Sequence, residues 1–250
     1  MKVIGINLDI QWHDKELNFQ YIENKVRNLD GDLFVLPEMF STGFSMEPDE
    51  VADRNLESLD FLKKMANWKK AAFCASAPVY ENGHFWNRMY FVHPDGRTEN
   101  YDKRHLFSFS GEDKVYSAGD QRVIVSYRGI RILLQVCYDL RFPVFSRNQE
   151  DYDAIVYVAN WPKKRVHHWE ALLKARAIEN QAYVFGVNRT GTDGNGLEYL
   201  SSSYFYFADG KEISTSEESV LSAELDKEAL DNYREHYSFL GDRDRFTIEK

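Results

Sequence analysis

A layered α/β fold is what this chain predicts, and three observations lead there. Short apolar segments of strand length recur along its 250 residues, three amphipathic helical segments stand among them, and their order changes on the way. That order begins β-α-β-α-β, passes into strand pairs, then resumes β-α-β. Such mixing implies two sheets covered by helices.

The strands are predicted, in order, at Val3–Leu8, Leu33–Leu36, Ala72–Val79, Asn87–His93, Val123–Tyr127, Ile130–Val136, Ala154–Ala159, Ala182–Val187, Ser202–Phe207 and Val220–Leu225. Turn dipeptides punctuate them: Asp95-Gly96, Arg128-Gly129 and Asp209-Gly210. The first helix places Phe19, Ile22, Val26 and Leu29 on one stripe, with Asp14 as its N-cap. The second runs from Asn55 to Lys70, with Leu56, Leu59, Leu62 and Ala66 aligned. The third spans Val166–Gln181, where Trp169, Leu172, Leu173 and Arg176 share a face. Repeats, low-complexity tracts and linkers are not seen, so residues 1–250 read as a single domain. The polar stretch 238–250 reads as a C-terminal arm that either packs on a partner or frays.

Composition narrows the function. A formal net charge of −9 disfavours a phosphate-binding surface, so no nucleic-acid partner is expected. No run reaches the roughly 18 apolar residues of a membrane helix, and no signal peptide is seen, so a soluble, cytoplasmic protein is expected. Only Cys74 and Cys137 are present, which argues against a disulfide scaffold. His167 and His168 are adjacent and diverge on a helix, so no metal site is expected.

Chemistry concentrates where apolar strands stop. Leu133-Leu134-Gln135-Val136 runs into Cys137, followed by Tyr138-Asp139-Leu140-Arg141-Phe142-Pro143. Leu33-Phe34-Val35-Leu36 runs into Pro37-Glu38, and Lys103 sits in Tyr101-Asp102-Lys103-Arg104-His105-Leu106-Phe107. A cysteine attacks as thiolate, and an unperturbed thiol (pKa about 8.5) is mostly protonated at neutral pH, so Cys137 needs a base or a cation nearby. Glu38, presented by a proline turn, is the stronger partner than any histidine. Cys74 sits in Ala72-Phe73-Cys74-Ala75-Ser76-Ala77, an apolar setting that assigns it to the core.

Taken in order with their neighbours, Glu38, Lys103 and Cys137 resemble the nitrilase superfamily of carbon–nitrogen hydrolases. The likeness continues through Ala159-Asn160-Trp161-Pro162, Arg176-Ala177-Ile178-Glu179-Asn180-Gln181 and Val187-Asn188-Arg189-Thr190-Gly191, nearly the whole chain. Glu38-Met39-Phe40-Ser41-Thr42-Gly43-Phe44 and Asn160-Trp161-Pro162 look most like the omega-amidase branch, which acts on 2-oxoglutaramate and related amides. The resemblance implies a four-layer α-β-β-α sandwich, at least a homodimer, a small-molecule amide substrate and no metal or organic cofactor. It implies Glu38 as base, Lys103 and the backbone N–H of Tyr138 at the oxyanion, and a thioester on Cys137. Glu112 matches a second glutamate that orients Lys103 or positions substrate and water. Phe40, Phe44, Tyr116 and Trp161 are expected to wall the pocket.

Asp139, Arg141, Arg176 and Glu179 are expected to form a structural network, with substrate carboxylate binding as the other role for Arg141. Lys163, Lys164 and Arg165 precede a helix start, where positive charge opposes the helix dipole. They either attract an anionic oxo acid or form a solvated loop. Ser201-Ser202-Ser203 departs from the Gly-x-Ser common among relatives. The alternatives are another superfamily amidase, acting on carbamoyl amines or aliphatic amides, a thiol redox protein, or a non-catalytic interaction protein.

Overall fold

The computed structural model describes residues 1–248. Its elements run β1 (Lys2–Ile6), α1 (Lys15–Val26), β2 (Leu33–Val35), α2 (Pro48–Val51), α3 (Glu57–Lys69), β3 (Ala72–Glu81), β4 (His84–Val92) and β5 (Thr98–Asp102). Then come α4 (Glu112–Val115), β6 (Ile124–Tyr127), β7 (Ile130–Val136), α5 (Pro143–Ser146), β8 (Ala154–Ala159), α6 (Val166–Asn180) and β9 (Tyr183–Asn188). The chain closes with β10 (Gly191–Thr192), β11 (Glu198–Tyr199), β12 (Tyr204–Tyr206), β13 (Thr215–Glu217), β14 (Val220–Glu224) and α7 (Lys227–His236).

Two mixed sheets result. One has seven strands in the order β13-β14-β1-β2-β3-β4-β5, the other five in the order β12-β9-β8-β7-β6. Strand alternation explains how they stack. On β2, Leu33 and Val35 join the cluster between the sheets, while Phe34 points to the other side. That inner cluster mixes both sheets, with Cys74 and Phe91 beside Leu134, Val156 and Phe185. Outside the first sheet, Phe34 and Phe73 pack on Ile22 and Val26 of α1 and on Leu62 and Met65 of α3. Outside the second, Ile155 and Val184 pack on Trp169, Leu173 and Ala177 of α6. The four-layer α-β-β-α arrangement is therefore present. Truncating a buried Leu62 to Ala would cost about 2–5 kcal/mol. Gly186 lets α6 lie close on β9, since a Cβ there would come within 2.3 Å of Leu173 Cδ1.

Element ends carry the corrections. Asp14 does cap α1, accepting from Leu17 N at 3.0 Å, but Leu29 lies past the last turn. Leu56 is the N-cap of α3 and is exposed, not part of its buried stripe. The stretch from 238 is not wholly polar surface: Leu240 is buried and its N–H reaches Gln181 Oε1 at 3.3 Å. Residues 249 and 250 of the expected arm lie outside the described residues.

The parallel strands β2, β7, β8 and β9 end near Glu38, Cys137, Asn160 and Arg189. In open α/β sheets the carboxyl ends of strands are where ligands bind.

Candidate active site

Cys137 lies one residue past β7 and opens a 3-10 turn over Cys137–Arg141. Its φ is +43°, a left-handed conformation unusual for a residue with a side chain. Asp139 holds the turn from beneath. Its carboxylate accepts from Val136 N at 2.9 Å, the Tyr101 hydroxyl at 2.8 Å and His105 N at 3.1 Å, and it meets His105 Nδ1 at 2.7 Å.

Glu38, Lys103 and Glu112 are all buried beside the thiol. Lys103 Nζ donates to Glu38 Oε1 at 2.8 Å and to both oxygens of Glu112, at 3.0 and 2.8 Å. It also sits 5.2 Å from the centroid of the Phe44 ring. The other oxygen of Glu38 accepts from Asn160 N at 2.9 Å, and Asn160 Nδ2 donates to the Glu38 backbone carbonyl at 2.6 Å. Asn87 Nδ2 bridges the two glutamates, at 2.8 Å from Glu38 and 3.1 Å from Glu112. The Cys137 thiol donates to Asn160 O at 3.9 Å, and the charges of Glu38 and Lys103 both act on it.

One ammonium thus faces two buried carboxylates and a thiol. Burial pulls the Lys103 pKa down, but the charges of Glu112 and Glu38 raise it well above the ordinary lysine value, so the ammonium stays charged. Glu112 moves up too: burial raises it, Lys103 opposes, and Glu38 adds like-charge repulsion. Those directions agree, because a single cation cannot neutralise both acids. Burial and then the Glu38 charge push the Cys137 thiol well up, against the pull of Lys103. A thiol pushed up in this way keeps its proton at rest.

A cavity of about 280 Å³ opens onto this cluster. Lys103, Cys137 and Tyr138 line it, with Phe44, Arg141, Asn160 and Trp161 around them. Tyr199 and Asp193, from the β10–β11 hairpin, complete the wall.

The carbon–nitrogen hydrolase family model matches residues 6–235. The omega-amidase YafV of Yersinia enterocolitica is 43% identical over 252 residues, covering 99% of this chain and 98% of its own. The chain belongs to the carbon–nitrogen hydrolase family. It is a hydrolase of amide carbon–nitrogen bonds, and its resemblance to the nitrilase superfamily is borne out. The 2-oxoglutaramate amidase of Bacillus subtilis is 33% identical over 223 residues, covering 86% of this chain and 85% of its own. A further match is the crystal structure of XC1258 from Xanthomonas campestris, a CN-hydrolase superfamily protein with an arsenic adduct in the active site. It aligns with a TM-score of 0.95 at 37% identity, covering 100% of this chain and 99% of that one.

Within this carbon–nitrogen hydrolase, two expected pocket residues are misplaced. Phe40 is fully buried and packs on Phe19 and Phe61, because its side chain turns to the α1–α3 side of the first sheet. Tyr116 is also buried behind the wall, its hydroxyl donating to Ser45 O at 3.0 Å. The expected Asp139–Arg141–Arg176–Glu179 network divides. Arg176 pairs with Glu179 at 2.8 Å and donates to Leu140 O at 2.6 Å. Asp139 instead serves the cysteine turn, and Arg141 lies over the Trp161 ring, 4.7 Å from its centroid. The serine run is structural: Ser203 Oγ accepts from Asn188 N at 2.9 Å, and Asn188 Oδ1 accepts from Trp161 N at 2.7 Å. Asn87 was not foreseen, since a polar residue inside an apolar strand gives no signal beyond its being out of place.

Proposed function

We propose that this carbon–nitrogen hydrolase domain is an omega-amidase. It removes the terminal amide of a small 2-oxo dicarboxylic acid monoamide, 2-oxoglutaramate or 2-oxosuccinamate, as ammonia through a thioester on Cys137. The observation that carries this reading is one thiol and one ammonium lining the same small cavity, with a buried carboxylate hydrogen-bonded to that ammonium.

Glu38 takes the Cys137 proton as sulfur attacks the amide carbon. The carbonyl oxygen becomes an oxyanion beside Lys103 and the N–H of Tyr138, each such donor contributing about a hundred- to a thousandfold in rate. Collapse breaks the carbon–nitrogen bond, Glu38 returns the proton to nitrogen, and ammonia leaves. Water deprotonated by Glu38 then attacks the thioester, and the acid departs as sulfur regains its proton. Glu112 keeps Lys103 in place for both halves.

The substrate class is supported by three features. The cavity lies near the small end of the range usual for ligand pockets, Arg141 at its wall suits a carboxylate, and omega-amidase and 2-oxoglutaramate amidase stand among the relatives. The same reading makes the chain a cytoplasmic homodimer. A groove lined by Val144, Arg147, Glu179, Arg243 and Phe246, where α5 and α6 meet the C-terminal stretch, would seat the second copy.

Ammonia release from 2-oxoglutaramate, 2-oxosuccinamate, glutamine and carbamoylputrescine tests the proposal. The 2-oxo acid amides should lead, and Cys137→Ala should reduce their turnover to background while leaving the far-UV spectrum intact. Turnover in that variant would end the thioester route; preference for carbamoylputrescine would end the substrate assignment.

A further inference from the structure

Three consecutive cations precede α6, against the helix dipole. Lys163 pairs with Glu198 at 2.8 Å, and Lys164 is exposed. Arg165 is the one that lines the cavity. Its carbonyl accepts from Trp161 Nε1 at 2.7 Å, and its guanidinium lies 5.4 Å from the centroid of the Phe107 ring, also a wall residue. Arg141 lines the same cavity, with Nη2 3.2 Å from His168 Nδ1. Neither guanidinium has an ion-pair partner among the described residues.

The acids nearby are already engaged. Asp193 Oδ1 accepts from Asn195 N at 2.9 Å and Leu197 N at 3.0 Å, and its Oδ2 accepts from the Tyr199 hydroxyl at 2.8 Å. Glu38 and Glu112 are bound to Lys103. His168 senses both arginines: loss of solvent, then the charges of His167, Arg141 and Arg165, hold its pKa below the ordinary value. Two guanidiniums without an ion-pair partner among the described residues therefore line one small space, with Asp193, held by neutral donors, on the same wall.

We propose that Arg165 is a specificity-determining residue which, with Arg141, selects amides whose far end is purely anionic and rejects those bearing an ammonium beside the carboxylate. The inference rests on the reading of the chain as an oxo-acid amidase. A 2-oxo acid offers a carboxylate and a carbonyl oxygen, all acceptors that guanidinium forks can meet. The matching 2-amino acid puts a positive charge where an acceptor is wanted, and the repulsion is strong in a partly desolvated cavity.

The test uses the full chain, Arg165→Gln and Arg165→Lys, with ammonia release from 2-oxoglutaramate and L-glutamine. Where glutamine turnover is too slow to measure, its inhibition constant against 2-oxoglutaramate supplies the second value. Arg165→Gln should raise KM for 2-oxoglutaramate about ten- to a hundredfold, the scale of one charged hydrogen bond, with kcat changed far less. Its preference for the oxo over the amino substrate should fall about tenfold or more, and Arg165→Lys should keep most of it by keeping the charge. If Arg165→Gln does not fold, Arg165→Met serves in its place. An unchanged preference, or equal losses on both substrates, overturns the role of Arg165 while leaving the amidase standing. A wild-type chain that releases no ammonia from 2-oxoglutaramate overturns both.

Discussion

The molecule's two cysteines stand on facing sheets and share the inner cluster, yet they have opposite fates. Cys74 lies inside β3, paired in register with Val35 on one side and Phe91 on the other, and is fully buried. Cys137 stands one step beyond the end of β7, where the ladder has stopped and a cavity begins. Burial raises the pKa of both thiols, so acidity does not separate them. In the mechanism proposed above, delivery at a strand end, against a carboxylate that takes the proton, is what separates the reacting thiol from the inert one.

Removing the partners should erase the difference. Glu38→Gln and Lys103→Met are each expected to lower kcat by about a thousandfold or more, leaving Cys137 nearly as inert as Cys74. Steady-state ammonia assays check this, and near-normal rates in either variant would remove that residue from the chemistry. A direct comparison comes next: iodoacetamide should label Cys137 of the folded protein and spare Cys74, read by peptide mass mapping. Equal labelling would break the contrast. Cys74→Ala should leave kcat unchanged and cost about 1 kcal/mol of stability, the scale of one small buried group, seen in denaturant unfolding.

The smallest effect concerns Glu112. Its folded pKa is raised, so the stability it contributes is present below the unfolded value near 4.3 and is lost as pH rises through the folded value. Glu112→Gln removes that loss, so its melting temperature relative to wild type should climb as pH rises above the unfolded carboxylate range. A flat or falling difference would mean that Lys103 outweighs burial at this carboxylate.

How far the sequence could be read follows the same division between strand interiors and strand ends. Buried strands such as β8 were legible because both faces are apolar. β5, with sequence Thr98-Glu99-Asn100-Tyr101-Asp102, was missed: it is an edge strand with Tyr101 as its fully buried residue, though it delivers Lys103. α7 was missed for a similar reason, since Leu230 alone is fully buried within a polar decapeptide. At the site, Glu38, Lys103 and Cys137 stood out because each sits among distinctive neighbours. Phe40 could not be placed, because one more residue past a strand end reverses which side of the sheet a ring takes. Asn87 and Asn160 hold the glutamates through contacts spanning 49 and 122 positions, beyond the reach of local pattern.

The left-handed backbone at position 137 also limits what evolution or design could put there. A branched Cβ is penalised in that region, so threonine is a poor substitute nucleophile even though it carries a hydroxyl. Serine fits the geometry, which leaves the elbow open to an unbranched oxygen and closed to its methylated relative.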